Sequence, residues 1–75
     1  MRAHYQDPGA VRRRRIAAGL TQQALADRAG LSKGHVSGIE RGLAGASAPA
    51  LGRLATALAC EVEDLMAPVP AAATR

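Results

Sequence analysis

Residues 22–41 read QQALADRAGLSKGHVSGIER. Leu25 and Ala29 stand four apart, a spacing that stacks side chains on one helical face. Ala26 is small, where a neighbouring helix must approach closely. Val36 and Ile39, three apart, give the second half an apolar face of its own. Between the halves Gly30 marks a turn, at a point where a positive φ is free only for glycine, and Leu31 plugs that turn. Seven positions therefore agree in phase within twenty residues. This is the spacing of two helices set near right angles around a short glycine turn, a helix-turn-helix unit.

Working outward, each predicted helix has its own start and stop. Asp7 is placed to cap helix 1, with Pro8 in the first turn, and GAVRRRRIAA carries that helix to a stop at Gly19. Thr21 caps helix 2, QQALADRA, and Gly30 closes it. Ser32 caps helix 3, which ends at Gly42. Ser47 caps helix 4, APALGRLATALA, where Pro49 falls in the first turn and breaks no hydrogen bond. A short helix 5, VEDLM, carries acids in its first turn, which suits the helix dipole. The expected architecture is all-α, a five-helix bundle over residues 8–67. Residues 1–7 read as a frayed arm, and residues 68–75 as a disordered Pro/Ala tail.

Composition agrees with a helical reading and excludes several functions. The chain has 75 residues, no Phe or Trp and one Tyr, so any core is aliphatic and modest. A single cysteine, Cys60, rules out an internal disulfide and leaves too few thiols for a Cys-based metal site. His4 and His35 have no ligand-spaced partners, so no metal or cofactor is expected. No run is long enough for a membrane span and MRAHYQDPG is polar, which points to a reduced, cytoplasmic protein. The net charge is +4, with eight Lys/Arg against three acids in residues 1–42 and two against three in residues 43–75. A basic first half suggests a face made for a polyanion.

The stretch GLTQQALADRAGLSKGHVSGIERG resembles the Cro/C1-type (xenobiotic-response-element) helix-turn-helix domain of phage repressors and bacterial regulators. The likeness runs from about Val11, through LGRLATAL, to Leu65. It implies a lambda-repressor-like bundle that sets helix 3, Ser32–Arg41, in the major groove of double-stranded DNA, usually as a homodimer on two half-sites. It also makes the outward strip of that helix, Lys33, Gly34, Ser37 and Gly38, the base-reading set, with Lys33 a donor to guanine O6/N7. Thr21, Gln22, Arg12, His35 and Arg41 become the phosphate candidates. In relatives the glutamine matching Gln22 also braces the first residue of the reading helix, here Lys33.

Gly34 and Gly38 need a reason, because each costs a helix interior about 1 kcal/mol relative to alanine. Bare backbone lets the helix sit close to the groove floor or clear a thymine methyl. The competing reading is tolerated drift in a weak binder.

The run Arg12–Arg15 divides by helical phase. Arg15 falls inward with Val11 and Ala18, where a free charge is costly, and Glu40 is inward on helix 3. A buried Arg15–Glu40 ion pair resolves both, and relatives carry such a pair. Arg14 stands where many relatives have leucine. LACEVEDL lacks the glycine that usually follows helix 4, so that turn is expected to depart from the family's. Cys60 reads as a buried, inert thiol, and Leu43, Val62, Leu65 and Met66 as the apolar set best placed to pair two copies.

Two functions of different class remain. One is a sequence-specific DNA-binding transcriptional regulator, acting as a repressor. The other is an antitoxin or accessory subunit that uses the same fold to hold a protein partner. An enzyme is disfavoured, because no nucleophile–base pair, carboxylate pair or phosphate-cradling loop is present. Single-stranded RNA binding lacks the stacking aromatics it would use.

Overall fold

The structure, a computed structural model, describes residues 4–68. In chain order it contains β1 (His4–Gln6), α1 (Pro8–Ala17), α2 (Gln22–Ala29), α3 (Lys33–Glu40) and α4 (Ala48–Ala57), then a 3₁₀ turn (Val62–Leu65) and β2 (Met66–Pro68). The helices start where the capping residues place them. Asp7 Oδ1 accepts from the Gly9 amide at 3.0 Å, Thr21 Oγ1 from Ala24 at 3.0 Å, Ser32 Oγ from His35 at 3.0 Å and Ser47 Oγ from Ala50 at 3.2 Å. Each such cap satisfies an amide that has no partner within its helix. Gly30 ends α2 in the left-handed region at φ 68°, as the short turn requires.

Four α-helices are therefore present where five were expected. The segment read as helix 5 makes only a four-residue 3₁₀ turn, held by the Asp64 carboxylate accepting from the Glu61 amide at 2.9 Å. Helix 4 also stops earlier than expected, at Ala57, because the chain reverses at Ala59 with φ 55°. The left-handed turn thus forms at an alanine, in the segment whose lack of a glycine made that turn doubtful.

The expected frayed arm also differs. His4–Gln6 pairs antiparallel with Met66–Pro68, His4 opposite Pro68 and Gln6 opposite Met66. Next to the ribbon, the Asp7 amide donates to the Leu65 carbonyl at 2.9 Å, so the two ends of the domain are joined. Residues 1–3, and the expected tail from residue 69 onward, lie outside the described residues.

The core is aliphatic. Val11, Leu25, Val36, Ile39, Leu54 and Leu65 are fully buried, with Ala26, Ala29 and Ala55 filling the close approaches. α2 packs on both α3 and α4, and α1 packs on α3. Each fully buried aliphatic side chain contributes roughly 1.5–3 kcal/mol relative to exposure. The packing thus fixes which side of α3 is left for other work.

Candidate nucleic-acid interface

α3 is amphipathic. Val36 and Ile39 are fully buried, while Lys33 and Gly34 are exposed at its start and Arg41 is exposed at its end. Ser37, Gly38 and His35 are half-buried along the border between these faces. The cap at Ser32 and the turn at Gly30 set the angle at which this helix leaves α2.

The two glycines are not equivalent. A Cβ built on Gly34 would meet nothing within 4 Å, so that position is open surface. A Cβ on Gly38 would stand 3.3 Å from the Ala44 Cβ. The Gly38 carbonyl accepts from the Leu43 amide at 2.9 Å and from Ala44 at 3.2 Å, so the chain after α3 folds back over it. Gly38 thus has an internal reason to lack a side chain, which its place in the expected outward strip did not anticipate. Only Gly34 keeps bare backbone on open surface.

At the start of α2, Thr21 is exposed and spends its hydroxyl on the cap, and Gln22 is half-buried. The expected brace from Gln22 to Lys33 is replaced by a different bond, from Gln22 Nε2 to Glu40 Oε1 at 3.1 Å. The Glu40 carboxylate offers the Gln22 N–H a charged acceptor, whereas a lysine ammonium has only donors.

Glu40 is already engaged. Arg15 Nε donates to Glu40 Oε2 at 2.6 Å and Arg15 Nη2 to Oε1 at 3.1 Å, a forked pair. The third guanidinium nitrogen, Nη1, donates to the Leu20 carbonyl at 2.8 Å. The side chains are 14% and 2% exposed, so this is the buried pair that helical phase assigns to Arg15 and Glu40. Ala18, expected inward beside Arg15, is exposed, because the helix ends there.

The rest of the arginine run faces water. Arg12 is exposed, Arg13 lies 3.4 Å from Asp7, and Arg14 lies 3.7 Å from Asp64 on the 3₁₀ turn. Arg14 and Asp64 are 45% and 41% exposed, so their pairing stabilises by at most about 1 kcal/mol. It does give Arg14 a partner on the 3₁₀ turn, at a position where the resemblance leads to an expectation of leucine. Arg28 on α2 and Arg53 on α4 are further exposed cations; neither belongs to the outward strip of α3 or to the Arg12–Arg15 run, so no motif singles them out.

Cys60 is half-buried rather than buried, and it is a free thiol. Burial pushes its pKa up, partly opposed by Arg14 and reinforced by Asp64 and Glu61. Of the apolar set expected to pair two copies, Leu65 is fully buried in the core, and Val62 and Met66 pack against it. Leu43 is 71% exposed, and Ile16, outside that set, is 53% exposed. Among the described residues no three His, Cys, Asp or Glu side chains gather as a metal site, and no helix is long and apolar enough to cross a membrane.

A family model described as Helix-turn-helix matches residues 11–65. The chain belongs to the Cro/C1-type helix-turn-helix family. Among solved structures, this family member is similar to the restriction-modification controller protein C.AhdI from Aeromonas hydrophila. That match has a TM-score of 0.75 and 40% identity, over 77% of this chain and 88% of that one. It is similar also to SinR, the master regulator for biofilm formation solved in complex with DNA (TM-score 0.74, 29% identity, 77% and 94% covered). The P22 c2 repressor, solved with a synthetic operator, matches with a TM-score of 0.75 and 29% identity over 77% and 88%. No functionally curated protein matches the chain.

Proposed function

We propose that this Cro/C1-type domain is a sequence-specific, double-stranded DNA-binding transcriptional regulator that represses by occupying its operator. The observation that carries the reading is the division of α3, with Val36 and Ile39 wholly buried while Lys33, Gly34 and Arg41 stay open to solvent. Relatives solved with DNA, SinR and the P22 c2 repressor, support it.

In this reading α3 lies in the major groove. Lys33 donates to guanine O6/N7, Ser37 supplies a hydroxyl at the edge of the groove, and Gly34 admits the groove floor to bare backbone. Gly38 stays in the reading strip as backbone. Thr21 and Gln22 bring the positive end of α2 to a phosphate, and Arg12, His35 and Arg41 add contacts along the strand. A homodimer places two reading helices about one DNA turn apart, roughly 34 Å. Leu43 is the exposed apolar residue nearest the recognition helix in sequence and available to such an assembly. No catalytic step and no cofactor enters, and the domain works where the chromosome is, in the cytoplasm.

A protein partner is the second reading. It is favoured by the exposed Ile16 and Leu43 and by a relative, SinR, solved in complex with the SinI protein.

Selection of binding sites from random duplexes, then footprinting and a salt titration, tests the two. A twofold-symmetric site is expected, whose affinity falls with log salt at about −0.9 per phosphate neutralised by a Lys or Arg. Recovery of no preferred duplex, together with tight retention of another protein, would favour the second reading.

A further inference from the structure

We infer that Glu40 is a positioning residue for the DNA contact at the start of α2, acting through Gln22. The inference rests on the DNA-binding reading above and concerns how that surface is prepared before DNA arrives. Glu40 accepts two bonds from Arg15 and one from Gln22, and Arg15 also reaches the Leu20 carbonyl. Leu20 and Gln22 flank Thr21, the cap of α2. One ion pair therefore grips the chain on both sides of the residue that opens the phosphate-facing helix end.

The direction of the Gln22 bond follows from the chemistry of its partner. An ionised carboxylate only accepts, so the amide must present its nitrogen to Glu40. That leaves one N–H and the carbonyl of the amide uncommitted, on a side chain that is still half open to solvent. A glutamine held in one orientation binds a phosphate oxygen without first losing its rotamer freedom.

Glu40 can hold this post only because Arg15 neutralises it. A bare carboxylate beside a phosphate site would repel the ligand. With its side chain 2% exposed and forked to Arg15, Glu40 presents an oriented acceptor without presenting a free charge.

A double-mutant cycle in operator binding tests this, using Glu40→Asp, which keeps the charge for Arg15 but withdraws the acceptor, and Gln22→Met, which keeps bulk but not the amide. Glu40→Asp should weaken operator binding roughly three- to tenfold and leave the salt slope unchanged, because the neutral Gln22 amide releases no counterion from the phosphate it bonds. Added to Gln22→Met, it should cost nothing further. Side-chain amide relaxation by NMR on the DNA-free protein should find Gln22 ordered in the wild type and mobile in Glu40→Asp.

Losses that multiply in the double variant overturn the inference while leaving the DNA-binding reading intact. A wild-type chain with no preference for any duplex sinks that reading, and this inference with it. Should Glu40→Asp fail to fold, the wild-type relaxation data decide: an ordered Gln22 amide supports the inference, and one as mobile as a surface glutamine overturns it.

Discussion

Replacing Gly34 by alanine separates fold from function at a single atom. Gly34 is exposed near the start of α3, and an added Cβ meets nothing within 4 Å. No clash offsets the gain from removing a helical glycine, which is about 0.5–1 kcal/mol. For a domain of this size 1 kcal/mol moves Tm by about 4–8 °C, so Gly34→Ala should melt roughly 2–8 °C above wild type. Circular dichroism reads that shift directly. Gly38→Ala is the internal control. Its Cβ would press on the Ala44 Cβ at 3.3 Å, so its gain should be smaller, or reversed if the fold-back after α3 cannot yield.

DNA affinity should move the other way at Gly34. If bare backbone lies against the groove floor, an added methyl overpacks that contact at a cost of about 1–3 kcal/mol, at least roughly fivefold in Kd. The assay is fluorescence anisotropy on the selected operator at fixed salt, with each protein first shown to be folded. A more stable Gly34→Ala that binds as well as wild type, or better, would refute close approach and leave the glycine as tolerated drift.

Three further outcomes are expected. Ala59→Gly should raise the urea midpoint by an amount corresponding to about 1 kcal/mol, since alanine now occupies a left-handed φ of 55°; an unchanged midpoint would mean the turn is unstrained. Arg15→Ala should cost about 3–5 kcal/mol by stranding Glu40, most of what a domain this small has, whereas Arg15→Met with Glu40→Leu should recover much of the loss; equal melting of single and double variants argues against a buried pair. Cys60 should alkylate slowly at neutral pH because burial raises its pKa. By linkage its contribution to stability is complete below the unfolded thiol's pKa and lost as pH rises through the folded one, so Cys60→Ala should flatten the alkaline limb of a stability–pH curve.

What could be read from the chain depended on how far apart the determinants lie. The four caps were legible because a cap needs a hydroxyl or carboxylate and an amide two or three residues on. The Arg15–Glu40 pair was legible from helical phase together with the family resemblance, since two inward charges of opposite sign have few other solutions. Gln22 was not, because its partner lies at the far end of α3 and depends on the angle between two helices. The contact at Gly38 was not legible for a related reason: its neighbour Ala44 belongs to a loop whose path no periodicity describes. The β-ribbon was missed because three residues are too few to show alternation.

The turn after α4 shows how tertiary packing overrides a local cost that the sequence does display. LACEVEDL has no glycine to reverse the chain, and the reversal falls on Ala59 at φ 55°, a conformation costing an L-residue roughly 1–2 kcal/mol. Two leucines on either side set the balance. Leu58 is 8% exposed and Leu65 is fully buried, and burying each contributes roughly 1.5–3 kcal/mol. Without the reversal Leu65 could not return to the core, and the Asp7 amide would lose the Leu65 carbonyl that joins the two ends of the domain. The packing gain exceeds the strain, so the fold keeps its turn without its glycine. It closes with a 3₁₀ turn rather than a fifth helix, because only four residues separate Glu61 from the strand that begins at Met66.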